Sequence, residues 1–526
     1  MPEPALHRFL HGERRYAIDP ESCFCFECDQ ISWDVLEYYP GAAANHVVHR
    51  LRDRYDPKEA GEVISELEWL RATKAILKTP GRDELIKRFE VERGLKLLTL
   101  QLGAGASDPT RIRDAAVLLL ARSGAQQDLR LVIEAAPAGF DAGAAARGCE
   151  EALRLGELAG KKLTVAVRIG PLPLREPEPL REHACGAQWE FRSGGPPPRD
   201  VLAPLARAGF GNLGRLAKTF SPEQAVSGRI VLTPGSARFA HAVQALEESG
   251  FPVIELDLDA AFAAHPEIAP AAVFEELRTT AVYYANRLLE GRYFRLDPIA
   301  PLFLRIYQGQ PARRADPAGT NELAVDRNGN VYPSRLWLGD AAFRAGSLEQ
   351  GRVDEALLKR FDDVGAVTTA ACMRCWARGL CGGGTAAVHQ ACSGDYRTPH
   401  EPWCDAQRAW LEAAVAAFNL LASRGVPFAR IYENLGRARR PSLFQLARAA
   451  FRKQIGLRPL EEADAELLTR WENWNEAAYF LCTESGMFMA TRYDREMDSL
   501  YPREYEHEFL LLRKTGAPMG LLRVRP

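Results

Sequence analysis

The sequence predicts an α/β protein built on a parallel sheet, preceded by a small α+β unit and followed by an irregular, cysteine-bearing region. Three observations carry this. Strand-like and helix-like runs alternate from about residue 92 to 310, as parallel strands joined by crossover helices require. Residues 1–80 hold a hairpin signal followed by helical periodicity. Residues 311–424 are Gly-rich and carry Cys372, Cys375, Cys381, Cys392 and Cys404. With 526 residues, the chain exceeds what one hydrophobic core can organise.

In the first unit, Arg15-Tyr-Ala-Ile-Asp19 and Cys23-Phe-Cys-Phe-Glu-Cys28 read as two strands around the turn Asp19-Pro20-Glu21-Ser22. Trp33, Leu36 and Tyr39, then His46 to Tyr55, then Val63, Ile64, Leu67 and Leu70 follow helical spacing, and Asp56-Pro57 reads as a helix start. Cys23, Cys25 and Cys28 are expected to pack in a strand, because alternate positions point to opposite faces.

In the central region the expected strands are Leu95–Gln101, Leu131–Ile133, Leu163–Arg168, Ile230–Thr233, Val253–Leu258 and Pro301–Tyr307. The expected helices are Arg111–Ala121, Ala144–Leu158, Val201–Ala208, Ala237–Ser249 and Ala271–Leu289, with Gly194-Gly-Pro-Pro-Pro198 as a surface loop. The cysteine-bearing region ends in a helix from about Asp405 to Ser423, on or beside which Trp403, Trp410 and Phe418 are expected as core. A linker around Gly436–Pro441 leads to a last unit, residues 445–526.

Net charge is −2 with acids and bases balanced, so no electrostatic footprint for nucleic acid or an anionic membrane exists. No apolar run reaches the ~18 residues a membrane-spanning helix needs. The start, Met1-Pro-Glu-Pro-Ala-Leu6, lacks a charged segment followed by an apolar one, and a cytoplasmic location is expected. In a reducing compartment, 11 clustered cysteines favour metal ligation over disulfides.

The chemistry concentrates in Cys372-Met-Arg-Cys375-Trp-Ala-Arg-Gly-Leu-Cys381-Gly-Gly-Gly-Thr385, followed by Cys404. Four thiols at this spacing suit an iron–sulfur cluster or a structural zinc; buried free thiols are the alternative. Gly382, Gly383 and Gly384 let the backbone curl where a side chain would collide. His389 and Cys392 read as loop residues beside this group.

The stretch resembles the SPASM domain of radical SAM peptide maturases, in which a further cysteine stands at the position of Thr385. Hairpin module, alternating region and cysteine-rich tail, in that order, match the family over about residues 1–424. The resemblance implies a winged-helix-like module over 1–80, a partial (β/α)6 barrel over 92–310 and a SPASM-like iron–sulfur domain over 311–424. Leu457-Arg-Pro-Leu-Glu-Glu-Ala-Asp464 and Gly516-Ala-Pro-Met-Gly520-Leu-Leu-Arg-Val resemble the first half of a GNAT acetyltransferase. Acetyl-CoA catalysis would need a Gly-rich loop after the strand at Leu521–Val524, and the sequence given stops at Pro526, so a truncated interaction unit is expected.

Against the family pattern, the radical SAM residues are missing together. After the strand Leu95–Gln101, where CxxxCxxC is expected, stands Leu102-Gly-Ala-Gly-Ala-Ser-Asp108. Where GGEP is expected stands Glu134-Ala135-Ala136-Pro137, and the TNG position reads Arg168-Ile-Gly170. Between residues 81 and 300 only Cys149 and Cys185 occur. The first auxiliary cluster also loses its diagnostic ligands, with Asp316, Ser334 and Thr385 in place of cysteines. The second keeps all four: Cys372, Cys375, Cys381 and Cys404.

The resemblance therefore implies one auxiliary [4Fe–4S] cluster, no S-adenosylmethionine chemistry and no catalytic residue. The expected role is a binding subunit of a peptide-modification system, partnered by a precursor peptide or an active radical SAM maturase, with no nucleic acid or membrane partner. Peptide capture is expected at the hairpin of residues 15–28 by strand addition. The alternatives are an active maturase with an atypical cluster site, and a repurposed scaffold with structural zinc.

Overall fold

The computed structural model describes residues 6–73, 75–77, 93–103, 109–135, 141–169, 186–192, 227–232, 239–248, 251, 253–312, 314–426, 428, 455–459, 507–513 and 518–524. The expected helix Val201–Ala208, the loop at 194–198, Cys185 and the linker at 436–441 lie outside them, as do 104–108, Ala136, Pro137 and Gly170. The chain divides into two compact units, Met1–Leu421 and Ala422–Pro526. Among the described residues no helix is long and apolar enough to cross a membrane.

The first unit begins with strands β1 (His7–His11), β2 (Arg14–Ile18) and β3 (Cys25–Cys28), an antiparallel sheet in that order, with helices α1 (Gln30–Val35), α2 (Ala44–Leu51) and α3 (Pro57–Ala72). Asp56 caps α3 by accepting from the Lys58 N–H at 2.7 Å, and Pro57 occupies the first turn, where its missing N–H goes unused. Ala17, Cys28, Val35, Leu51, Ile64 and Leu67 close a small core. The expected turn at Asp19–Ser22 is held by Asp19, which accepts from the Glu21 N–H, the Ser22 hydroxyl and the Leu77 N–H. β1 is an addition to the two expected strands.

The main sheet has eleven strands among the described residues, in the order β10-β9-β8-β7-β6-β5-β4-β11-β12-β13-β14. They are β4 (Leu97–Gln101), β5 (Asp128–Ala135), β6 (Lys162–Ile169), β7 (Gly186–Arg192), β8 (Ser227–Val231), β9 (Val253–Asp257), β10 (Arg295–Asp297), β11 (Glu322–Val325), β12 (Asn330–Tyr332), β13 (Gly346–Ser347) and β14 (Arg352–Val353). β4 to β11 are mutually parallel where they pair, and β11 to β14 form an antiparallel meander. Helices α4 (Pro109–Arg122), α5 (Ala142–Leu158), α6 (Ala240–Glu248), α7 (Leu258–Ala264) and α8 (Pro270–Leu289) alternate with them.

One expected strand is corrected. Pro301–Tyr307 lies inside helix α9 (Ile299–Gln308), which buries Ile299, Ala300, Leu302, Phe303 and Ile306 at helical spacing. A short apolar run does not distinguish a buried strand from a buried helix by periodicity alone. Pro301 falls in the first turn, where backbone N–H groups have no helical partner, and Gly309 ends the helix at φ 58°. Within residues 92–310 two strands were not anticipated, β7 and the three-residue β10, and over 311–424, expected to be irregular, β11 to β14 are further additions.

Alternation sorts the two faces of the parallel strands. Leu98, Leu100, Leu131, Ile133, Val165, Val167, Leu323 and Val325 pack with Ile112, Leu119, Ala145 and Cys149 of α4 and α5 in one core. Each such aliphatic side chain contributes ~1.5–3 kcal/mol on burial. The opposite face presents Arg130, Glu134, Arg168, Arg229, Glu255, Asp257, Arg295 and Asp297, each adjacent in sequence to an apolar residue of the other face.

The rest of the first unit contains α10 (Glu355–Lys359), α11 (Ala370–Met373), α12 (Arg378–Cys381), α13 (Ala386–Ser393) and α14 (Glu401–Ser423). Trp403, Trp410 and Phe418 are buried along α14. In the second unit β15 (Ile455–Pro459), β16 (His507–Arg513) and β17 (Pro518–Val524) form an antiparallel sheet in that order.

Candidate functional site

The four tail thiols come from four pieces: Cys372 from α11, Cys375 from the following turn, Cys381 from the end of α12, and Cys404 from α14. The Cys375 N–H donates to the Cys372 carbonyl at 3.0 Å, which tightens the CxxC turn. Gly382 then ends α12 in the left-handed region at φ 76°, with Gly383 and Gly384 also at positive φ. A Cβ on Gly382 would stand 2.9 Å from the Ala315 nitrogen, and one on Gly383 2.7 Å from the Ala366 nitrogen. The triple glycine is therefore needed for close approach to neighbouring backbone as well as for its turn.

The Gly383 and Gly384 N–H groups of that turn lie beside the Cys381 sulfur and pull its thiol pKa down, against burial. The thiols also feel one another. Burial pushes the Cys372 and Cys404 thiols up to about 12, and their neighbours in the set add to the rise. Cys381 is pushed up to about 11 by burial, against the pull of its two N–H donors. A metal cation would reverse this balance, because thiolates crowded together out of water are stable only around positive charge. Among the described residues no group of three or more His, Cys, Asp or Glu side chains is arranged to hold a metal ion, so the structure places the tail thiols within electrostatic reach of one another without arranging them as a ligand set. Four cysteines are, by donor type, what a tetrathiolate group takes.

The other cysteines go elsewhere. Cys23 packs against α12, Cys25 accepts from the Asn419 amide at 3.2 Å, and Cys28 enters the core of the N-terminal module. Cys149 is sealed in the apolar core between α5 and the sheet. His389 is buried, with Nε2 3.1 Å from the Gly383 carbonyl and its ring edge-on to Trp403; it braces the glycine turn. Burial lowers its pKa. Cys392 stands half-buried on α13.

Asp316, Ser334 and Thr385 are buried and tie several segments together. Asp316 accepts from the Ala318 and Ala386 N–H groups at 2.9 and 2.7 Å. The Thr385 hydroxyl donates to Asp259 at 2.6 Å, and Ser334 caps a short 3-10 turn at Arg335–Trp337. Burial raises the carboxyl pKa of both Asp259 and Asp316. These bonds knit the starts of α7 and α13 to the segment preceding β11.

The charged face of the sheet was not singled out from the sequence. Arg168 pairs with Glu134 at 2.6 Å and reaches Glu255 at 3.8 Å; Arg229 lies 3.8 Å from both Glu134 and Glu255. Asp257 receives Arg229 in a close ion pair and Arg335 at 2.6 Å. β5 and β8 are three places apart in the sheet, about 14 Å at ~4.8 Å per strand, a separation that a curled face brings within side-chain reach. Burial would raise the Glu255 carboxyl, but Arg168, Arg229, Arg335 and Arg130 outweigh it and hold it at about 2. Burial and the neighbouring guanidiniums bring Arg229 down to about 9. At the rim, burial lifts Glu322 to about 7. The signal was available: Arg130 and Glu134, or Glu255 and Asp257, recur at even spacing within apolar strands.

Fold and site thus define an α/β protein with a charged face on its parallel sheet and four cysteines in a separate Gly-rich segment. No protein-family model matches the sequence, and no curated protein does. Among solved structures the chain is similar to anSMEcpe with bound AdoMet at 14% identity and TM-score 0.45, covering 65% of this chain and 98% of that one. The same enzyme with AdoMet and Cp18Cys peptide gives 15% identity and TM-score 0.44, covering 63% and 99%. Streptococcus suis SuiB bound to S-adenosylmethionine gives 11% identity and TM-score 0.36, covering 72% and 96%.

Proposed function

We propose that this protein is a radical SAM/SPASM-like member of a peptide-modification system that binds rather than reacts, with one [4Fe–4S] cluster on Cys372, Cys375, Cys381 and Cys404. The observation that carries the reading is the unequal treatment of thiols. Four lie in one Gly-rich tail segment, where Cys372 and Cys404 stand close enough to the other thiols to have their pKa pushed up by them. Cys149, one of only two cysteines between residues 81 and 300, is sealed in an apolar core. Four protein thiolates leave no iron open to a substrate, so the cluster acts as a clamp on an irregular segment.

The partner is a precursor peptide, an active maturase, or both, held by the N-terminal module and by the charged face of a partial barrel. A face lined with guanidinium and carboxylate groups suits a polar chain with charged side chains better than an apolar molecule. The test is chemical. Given dithionite and S-adenosylmethionine under anaerobic conditions, the metal-reconstituted protein should release no 5′-deoxyadenosine above background. Sustained release would overturn the proposal and establish an atypical radical site.

A further inference from the structure

We infer that the charged face of the main sheet encloses an anion site, anchored by Arg130, that takes a small oxyanion group, a carboxylate or a phosphate. The inference deepens the reading of that face as a binding surface and does not depend on the tail thiols. Alternation turns Arg130 to the same side as Glu134, because Leu129, Leu131 and Ile133 are buried in the core with α4 and α5. Glu255, Arg168, Arg295 and Asp297 act on it electrostatically, from β9, β6 and β10. β9 and β10 are four and five places from β5 in the sheet, so the face curls round to bring these groups together.

Two observations describe a chamber rather than a packed interior. Arg130 is exposed, and Glu134, Glu255, Asp297 and Arg335 keep 21, 27, 25 and 21% of their side-chain surface open. Yet burial is the largest single influence on the ionisation of Arg130, Glu134, Glu255 and Asp297. Water reaches these groups while protein walls stand around them, which is the condition of a concave site.

The other guanidiniums of the chamber are already engaged. Arg168 donates to Glu134 at 2.6 Å, Arg295 holds Asp297 through two bonds of 2.7 and 2.8 Å, and Arg229 and Arg335 share Asp257. Arg130 makes no hydrogen bond and no ion pair among the described residues. Glu255 stands 3.8 Å from both Arg168 and Arg229, beyond hydrogen-bond range, and so does not use up their donors. With Arg295 and Asp297 neutral as a pair, four guanidiniums face Glu134, Glu255 and Asp257, while Glu322, at about 7, is only partly ionised near neutral pH. The chamber therefore carries surplus positive charge, and Arg130 is the group with its donors unspent. A guanidinium fork matches two oxygens of a carboxylate or phosphate.

Titration calorimetry of the full chain with inorganic phosphate and with succinate, at one fixed pH, tests this. At least one should bind saturably, and Arg130→Ala should weaken it by at least ~10-fold. Arg130→Lys keeps the charge but loses the fork, and should fall between the two. Because Arg130 makes no internal bond, the alanine variant should keep the parent's unfolding midpoint. Glu255→Gln, which removes a competing carboxylate, should tighten binding. Arg113→Ala, an exposed position on α4, should bind as the parent does. Tighter binding of a peptide bearing two glutamates than of succinate identifies an acidic chain as the source of the anion; weaker binding identifies a free small molecule. Saturable binding of neither phosphate nor succinate, or equal affinity in Arg130→Ala and the parent, overturns the inference. Release of 5′-deoxyadenosine would instead sink the wider reading and leave this site standing, so the two failures are distinguishable.

Discussion

Cys375→Ala is expected to abolish metal binding and unfold the tail around residues 370–405. Cys375 anchors the CxxC turn, its N–H donating to the Cys372 carbonyl. The surrounding pieces, α11 and α12, are four residues each and cannot persist by local propensity. Structural metals supply folding free energy on the order of 10 kcal/mol, far above the ~1 kcal/mol of a typical substitution. Limited proteolysis should cut the variant between 370 and 405 and leave the parent intact there. Cys149→Ala is the control: it removes a core sulfhydryl and should leave metal content unchanged. A Cys375→Ala protein with full metal content and a protected tail would show that the thiols are ordinary packing.

Asp257→Ala should be the most destabilising change on the charged face. Asp257 is almost fully buried, pairs with Arg229 and Arg335, and caps α7 by accepting from the Ala260 N–H at 3.3 Å. Removing one partner from a buried ion network costs ~3–5 kcal/mol, because the guanidiniums left behind stay buried without compensation. Loss of the cap adds ~1 kcal/mol. Denaturant unfolding followed by far-UV circular dichroism measures the sum, and Asp257→Asn, which keeps an acceptor for the cap, separates charge from capping. A loss below ~0.5 kcal/mol would mean that solvent already screens this face.

Local patterning exposed most of the scaffold. β4, β6 and β9 and the helices α4, α5, α6 and α8 fall close to where periodicity puts them, because each is long enough to show a period and buries one face. Pro301–Tyr307 failed because seven apolar-rich residues fit both periods, and packing against the rest of the fold decided for helix. The four tail thiols could be singled out because ligand spacing is local in sequence. The contacts of α12 with the N-terminal turn could not: Glu21 and Arg378 are separated by 357 positions, and nothing near either announces the other. The sequence alone therefore suggested an N-terminal module independent of the tail, whereas Gly379 and Pro20 lie in near contact. The charged face lay between these cases, with its residues at legible even spacing but its ion pairs made across the sheet.

The central claim is that one thiolate-bound cluster remains in this chain. Iron and acid-labile sulfide analysis of anaerobically purified protein tests it most directly. One cubane cluster requires about four irons and four sulfides per chain, lost together in Cys375→Ala. Eight or more irons per chain, or zinc in place of iron, would contradict it.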